Sequence, residues 1–278
     1  MNMANTEEGA FTLALTLEQR IISMLHKAGP LHTKQLVPVL EGLGYHSGTV
    51  RNTLTQLKAR RWIRSAARSL YEITDKGKSH QVRRNAAGKR YGMAWDGKWY
   101  VFTGEIPESE RNKRDRMRSD LMQMGCGRLY KSVYITPWDI TGDVLRMAEE
   151  YGIVDYISIF HGEKVAGAIS KETVVALWPL AEVVALYEEV LNRMNLEWRP
   201  RLAKLLASDA DCSLELLLLY MEVDQAIEYL IERDPMLPEE LLPDAWAPPG
   251  ILVKLEIFAA ELADAVPAGT IYGKLVRG

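Results

Sequence analysis

Val50, Leu54 and Leu57 fall at i, i+4 and i+7, the spacing of one apolar stripe on a helix. The opposite face of that helix shows Thr49, Arg51, Asn52, Thr55, Gln56 and Lys58. One face therefore buries, and the other presents short polar groups and forked donors. Two further helices are predicted just before it. Leu17, Ile21, Ile22, Met24 and Leu25 repeat at helical spacing and stop at Gly29-Pro30. Leu36, Val37 and Leu40 form the apolar side of a second helix, with Thr33 placed to cap it and Gly42 and Gly44 to end it. Ser47 is placed to cap the third. Two helices with a short connection, the second polar outward, fit a helix-turn-helix.

A hairpin is expected next. Trp62-Ile63 leads into Arg64 to Arg68, Leu70 to Ile73 returns, and Thr74-Asp75-Lys76-Gly77 follows as a break. Such a hairpin is the wing of a winged helix, with Arg64 and Arg68 near its tip, within reach of phosphate or the minor groove. Arginine binds guanine bidentately, and asparagine does the same for adenine. Arg51, Asn52 and Thr55 are therefore expected to read base edges. Ser47 and Thr49 would anchor the helix start, and Lys58, Arg60, Arg64 and Arg68 would meet phosphates.

Charge supports this reading. The whole chain has a net charge of −3, yet residues 1–90 hold 15 Lys and Arg against 6 Asp and Glu. Residues 91–137 hold 8 against 6, and residues 138–278 hold 11 against 25. Phosphate backbones attract the first segment and repel the last.

The middle of the chain is expected to form a split β-α-β-β-α-β unit, a ferredoxin-like order. Its parts are a strand at Trp99–Thr103, a helix at Ser109–Met124 and a strand or short hairpin containing Leu129, Val133 and Ile135. A helix at Ile140–Tyr151 and a strand at Ile153–Phe160 complete it. On the first of these helices Arg111, Lys113, Arg114, Arg116 and Arg118 alternate with acidic residues, as on a solvated face with i,i+4 pairs. The alternative is an anion site, with Arg111, Lys113, Arg114 and Arg118 as candidates for an effector's phosphates. Further on, helices are expected at Leu177–Leu196, Pro200–Leu206, Leu214–Ile231 and Ile251–Leu262, with a sharp break at Asp234–Pro238. The third is apolar on most sides and is expected in a bundle or a dimer interface.

The fold class expected is α+β. The expected domains are a flexible segment at 1–16, a winged-helix DNA-binding domain at 17–80 and a linker at 81–97. A ferredoxin-like middle domain at 98–165 and a helical dimerisation and effector domain at 166–278 follow. No apolar run is long enough to span a membrane. The first residues lack the basic start of an export leader, and two cysteines provide no disulfide framework, so a cytoplasmic protein is expected. Five histidines and two cysteines lack metal-ligand spacing, so no metal or cofactor is expected.

Several stretches taken together resemble the PaaX family of bacterial repressors of phenylacetic acid degradation. They are Glu105-Ile106-Pro107-Glu108-Ser109-Glu110-Arg111, Arg114-Asp115-Arg116-Met117-Arg118 and Met124-Gly125-Cys126-Gly127-Arg128-Leu129, then Ser132-Val133-Tyr134-Ile135-Thr136-Pro137. The run from Asp234 to Trp246 continues the likeness. The resemblance implies a homodimer on an operator of double-stranded DNA, relieved by an aryl-acyl-CoA such as phenylacetyl-CoA, and no enzymatic activity. Gly104-Glu105-Ile106-Pro107 departs from the family's usual Phe-Asp-Ile-Pro, and Ala247-Pro248-Pro249-Gly250 from its usual Pro-Gly. The middle unit also resembles small CRISPR-associated nucleases, with Glu105 standing where those carry a metal-binding Asp. A metal-dependent nuclease is therefore the alternative, and a protein-interaction scaffold a third reading.

Overall fold

The computed structural model describes residues 15–82, 90–164, 167 and 169–277. Most of the expected 1–16 segment, and residues 83–89 of the expected linker, lie outside the described residues. The fold is mixed α+β with two small antiparallel sheets. It divides into two compact units. One comprises the described residues of 1–86, 193–229 and 255–278, the other those of 87–192 and 230–254. Residues beyond 166 contribute to both.

The first unit opens with α1 (Leu17–Ala28). Thr16 Oγ1 accepts from the Gln19 backbone N–H at 3.3 Å and Gln19 Oε1 from the Thr16 N–H at 2.9 Å, a reciprocal cap. β1 (Leu31–His32), α2 (Thr33–Gly42) and α3 (Ser47–Ala59) follow. The hairpin β2 (Ile63–Ala67) and β3 (Leu70–Ile73) leads into α4 (Asp75–Val82). β3 lies between β1 and β2, so the two-residue β1, which periodicity cannot reveal, closes the hairpin's free edge. Ser69 turns the hairpin with φ of 59°.

Two predicted caps are corrected. His32, not Thr33, precedes α2, and its backbone N–H is met by Gln35 Oε1 at 2.8 Å. Thr33 Oγ1 instead reaches the Ser69 carbonyl at 3.4 Å. His46, not Ser47, is the residue before α3, and no side chain caps that helix.

The core of this unit is built from Ile21, Ile22, Leu25, Leu36, Leu40, Val50, Leu54, Leu57 and Ile63, but it is not built from the first eighty residues alone. Leu217 of α10 (Ser213–Arg233) and Leu275 of α12 (Ile271–Arg277) belong to it, at 0% and 4% exposed. Between them in sequence lies α11 (Pro248–Ala265), longer than the predicted helix, and α12 itself was not anticipated.

The second unit is organised on a four-stranded sheet in the order β5-β6-β4-β7, every neighbouring pair antiparallel. The strands are β4 (Trp99–Gly104), β5 (Gly127–Tyr130), β6 (Val133–Thr136) and β7 (Ile157–Gly162). The segment near Leu129 is thus a hairpin. The last strand starts later than expected because Val154–Tyr156 makes a 3-10 turn. α5 (Arg111–Gln123) and α6 (Thr141–Tyr151) bury Met117, Leu121, Val144 and Met147 against Phe102 and Tyr134.

Trp99 and Ile135, on alternate positions of those strands, share a separate core with Trp178, Leu237, Leu241 and Leu242. Gly127 is required there, since a β-carbon on it would lie 2.7 Å from the Trp178 ring. The predicted helix at 177–196 is instead α7 (Lys171–Leu177) and α8 (Leu180–Arg193), broken at Pro179. A π-helical turn at Met194–Trp198 then leads into α9 (Arg199–Leu206). The break at Asp234–Pro238 is real and fully buried. Asp234 Oδ1 accepts from the Met236 N–H at 2.7 Å, and Met236 adopts φ of 47°. Among the described residues no helix is long and apolar enough to cross a membrane.

Candidate nucleic-acid interface

α3 lies as its stripe predicts. Val50, Leu54 and Leu57 are at most 1% exposed, while Thr49, Arg51, Asn52, Thr55 and Lys58 face outward and Ser47 is half-buried at the start. The polar Thr53 joins the buried side because its hydroxyl donates to the Thr49 carbonyl at 3.0 Å. Thr55 makes the same internal bond to the Arg51 carbonyl at 3.1 Å. Its donor is therefore spent, and it offers a partner only an acceptor and a methyl group.

The start of α3 is open. No side chain caps it, and a β-carbon on Gly48 would meet nothing within 4 Å. Its first backbone N–H groups lack intrahelical acceptors and carry the positive end of the helix dipole, which favours an anion.

The candidate phosphate contacts divide into two groups. Among the described residues, Arg51, Lys58 and Arg68 have no carboxylate within ion-pair distance. Arg68 stands exposed at the hairpin turn. Arg60 is engaged instead, its Nη1 lying 2.8 Å from Glu18 Oε2 and its guanidinium 5.5 Å from the Trp62 ring centroid. Arg64 Nε is held by Glu72 Oε1 across the hairpin at 2.5 Å. Arg61, exposed and free of any carboxylate among the described residues, was not singled out. The Arg60-Arg61 pair was the signal for it.

The cations of α5 are largely compensated. Arg114 lies 2.8 Å from Glu108, Lys113 lies 3.0 Å from Glu110, and Arg111 lies 3.7 Å from Asp115. The bond from Arg114 holds the Glu108 carboxyl below the usual carboxylate range. Arg118 is exposed. These contacts match a solvated ion-pair face. Glu105 is exposed after β4, and no cluster of three His, Cys, Asp or Glu suited to a metal occurs among the described residues. Nothing supports the nuclease reading.

Residues 92–174 match the family model of the PaaX protein central Cas2-like domain, and residues 178–253 that of the PaaX-like protein C-terminal domain. Over 241 residues the chain is 30% identical to Transcriptional repressor PaaX of Escherichia coli (strain K12), covering 81% of this chain and 72% of that protein. The chain belongs to the PaaX family. Both matched models lie beyond the α1–α4 module, so within this PaaX-family chain the interface rests on its own geometry. A solved structure of an uncharacterized protein from Mycobacterium tuberculosis shares the fold, with a TM-score of 0.61. It is 21% identical, and the match covers 90% of this chain and 97% of that one.

Proposed function

We propose that this PaaX-family protein is a DNA-binding transcriptional repressor of a catabolic operon, not an enzyme, and that it works in the cytoplasm. The observation that carries this reading is the outward face of α3. It has hydrogen-bonding side chains, an uncapped start, and cations without carboxylate partners among the described residues. Arg51, Asn52 and Thr55 read base edges. Ser47 and Thr49 set the start of the helix against a phosphate, and Lys58 and Arg68 meet the backbone. Arg60 and Arg64 exchange Glu18 and Glu72 for phosphate on binding. The α1–α3 helices followed by the β2–β3 hairpin support a winged helix-turn-helix. The strand order β5-β6-β4-β7 supports a ferredoxin-like middle domain.

The functional boundaries follow the order of the sequence, with DNA binding at 17–80, the middle domain at 98–165 and effector sensing with dimerisation at 166–278. The repressor acts as a homodimer on a two-fold symmetric operator, released by an aryl-acyl-CoA such as phenylacetyl-CoA. Arg111, Lys113, Arg114 and Arg118 are the candidates for its phosphates, once freed from their carboxylates. Family membership supports this part.

The test is equilibrium binding to the DNA upstream of the chain's own gene. Arg51→Ala costs about 1–3 kcal/mol and relaxes base preference, while Arg68→Ala weakens all sequences alike and lowers the salt slope by about 1. Parental binding by both variants overturns these roles. Phenylacetyl-CoA is expected to lower operator affinity, and an unchanged affinity removes it as effector.

A further inference from the structure

Lys34 is the second residue of α2, and Arg68 directly precedes Ser69, which turns the β2–β3 hairpin; both cations are exposed. The backbone brings their two places together. β1 pairs with β3, Leu31 opposite Tyr71 and His32 opposite Leu70. The Thr33 N–H then donates to the Ser69 carbonyl at 2.9 Å, and Thr33 Oγ1 donates to the same oxygen at 3.4 Å. Ser69 has φ of 59°, an uncommon conformation for a residue with a β-carbon, which persists where its surroundings fix it. The start of α2 is thus tied to the hairpin turn, with a cation next to each half of the contact.

The acidic residues lie elsewhere. Residues 30–40 and 65–71 contain no Asp or Glu. Glu41 stands at the opposite end of α2, and Glu72 holds Arg64. Among the described residues, neither Lys34 nor Arg68 has a carboxylate within ion-pair distance. Two unpaired cations beside one turn favour an anion that both reach. In a helix-turn-helix the second helix enters the major groove and the first crosses the DNA backbone. Here α2 is that first helix, and the Thr33–Ser69 contact sets which of its ends stands beside the hairpin.

We propose that Lys34 is a DNA-backbone contact on the same stretch of phosphates as Arg68, with Thr33 positioning the two. The inference rests on the reading of α3 as the helix that meets DNA, and adds to it a contact from the helix before.

The test is an anisotropy titration of the full chain at several salt concentrations. It uses the duplex upstream of the chain's own gene and a shuffled duplex of equal length. Lys34→Gln is expected to weaken both by the same factor, about two- to fivefold, and to lower the salt slope by about 1. Its thermal midpoint should stay parental, because Lys34 is exposed. Lys34→Arg keeps the charge and should restore the slope. Lys204→Gln removes the same charge from exposed α9 and should change neither quantity. A parental slope in Lys34→Gln, while Arg51→Ala and Arg68→Ala still weaken binding, overturns the contact and leaves the reading of α3 standing. An equal loss in Lys204→Gln also overturns it, since net charge alone then accounts for the effect. A parent chain that binds neither duplex overturns both the contact and the reading of α3.

Discussion

Leu217 of α10 and Leu54 of α3 are buried in one apolar core, though 163 positions separate them (217 − 54). The module that carries the candidate DNA-reading helix is therefore completed from the far end of the chain. Leu217→Ala is expected to lower stability by about 2–5 kcal/mol, the cost of a large-to-small change at a wholly buried leucine. Chemical denaturation followed by circular dichroism measures it. A change under about 0.5 kcal/mol, typical of a surface site, would show that α10 does not support this core.

Glu72 should act as a brake on DNA binding. Its carboxylate neutralises Arg64 at 2.5 Å across the hairpin. Glu72→Gln is expected to tighten binding to every sequence and to steepen the salt dependence by about one counterion, as one more cation becomes available to phosphate. Anisotropy titrations at several salt concentrations read both quantities. An unchanged slope would mean that Arg64 does not reach the backbone.

Trp178 fixes what Gly127 can become. The indole Nε1 donates to the Gly125 carbonyl at 2.9 Å, so the ring is tethered and cannot swing away from an added methyl group. Gly127→Ala should cost about 1–3 kcal/mol through overpacking. Near-ultraviolet circular dichroism should change with it, because Trp99 stacks on Trp178 at 6.3 Å.

The start of α6 contributes an acid-sensitive term. The Asp139 carboxylate accepts from the Thr141 backbone N–H at 3.0 Å, and this bond holds its pKa below the usual carboxylate range. A carboxyl depressed in the fold stabilises it above the unfolded pKa, and that stability is lost as pH falls through the folded pKa. Asp139→Ala should cost about 1 kcal/mol at neutral pH and progressively less toward acid. Denaturation midpoints across pH check the sign, and a constant cost across pH would rule out this origin.

Much of this fold was legible where local pattern decides it. The stripe Val50, Leu54, Leu57 located α3 and its polar face, and the segments on either side of the basic run located the hairpin, but only Arg68 is at its turn: Arg64 lies within β2, opposite Glu72, and Ser69, which makes the turn, was not read from the sequence. Thr53 was not legible as buried, because polarity suggests exposure and the bond to the Thr49 carbonyl that permits burial is local backbone chemistry. The caps at Thr33 and Ser47 were misplaced by one residue, within the ordinary uncertainty of helix ends. Leu217 and Leu275 had no local signal, since nothing in a helical stripe says which distant core it fills. At the candidate interface, residue types foretold the cations but not their partners. The pairing of Arg64 with Glu72 follows from strand register, and that of Arg60 with Glu18 from the packing of the first helix.

Leu217 and Leu275 have a consequence for synthesis on the ribosome. The amino-terminal helices emerge first, but their core lacks two of its leucines until residues 217 and 275 have been made. If α3 reads DNA as proposed, a chain that stops before residue 217 is expected to hold that surface less firmly than one that continues past residue 275.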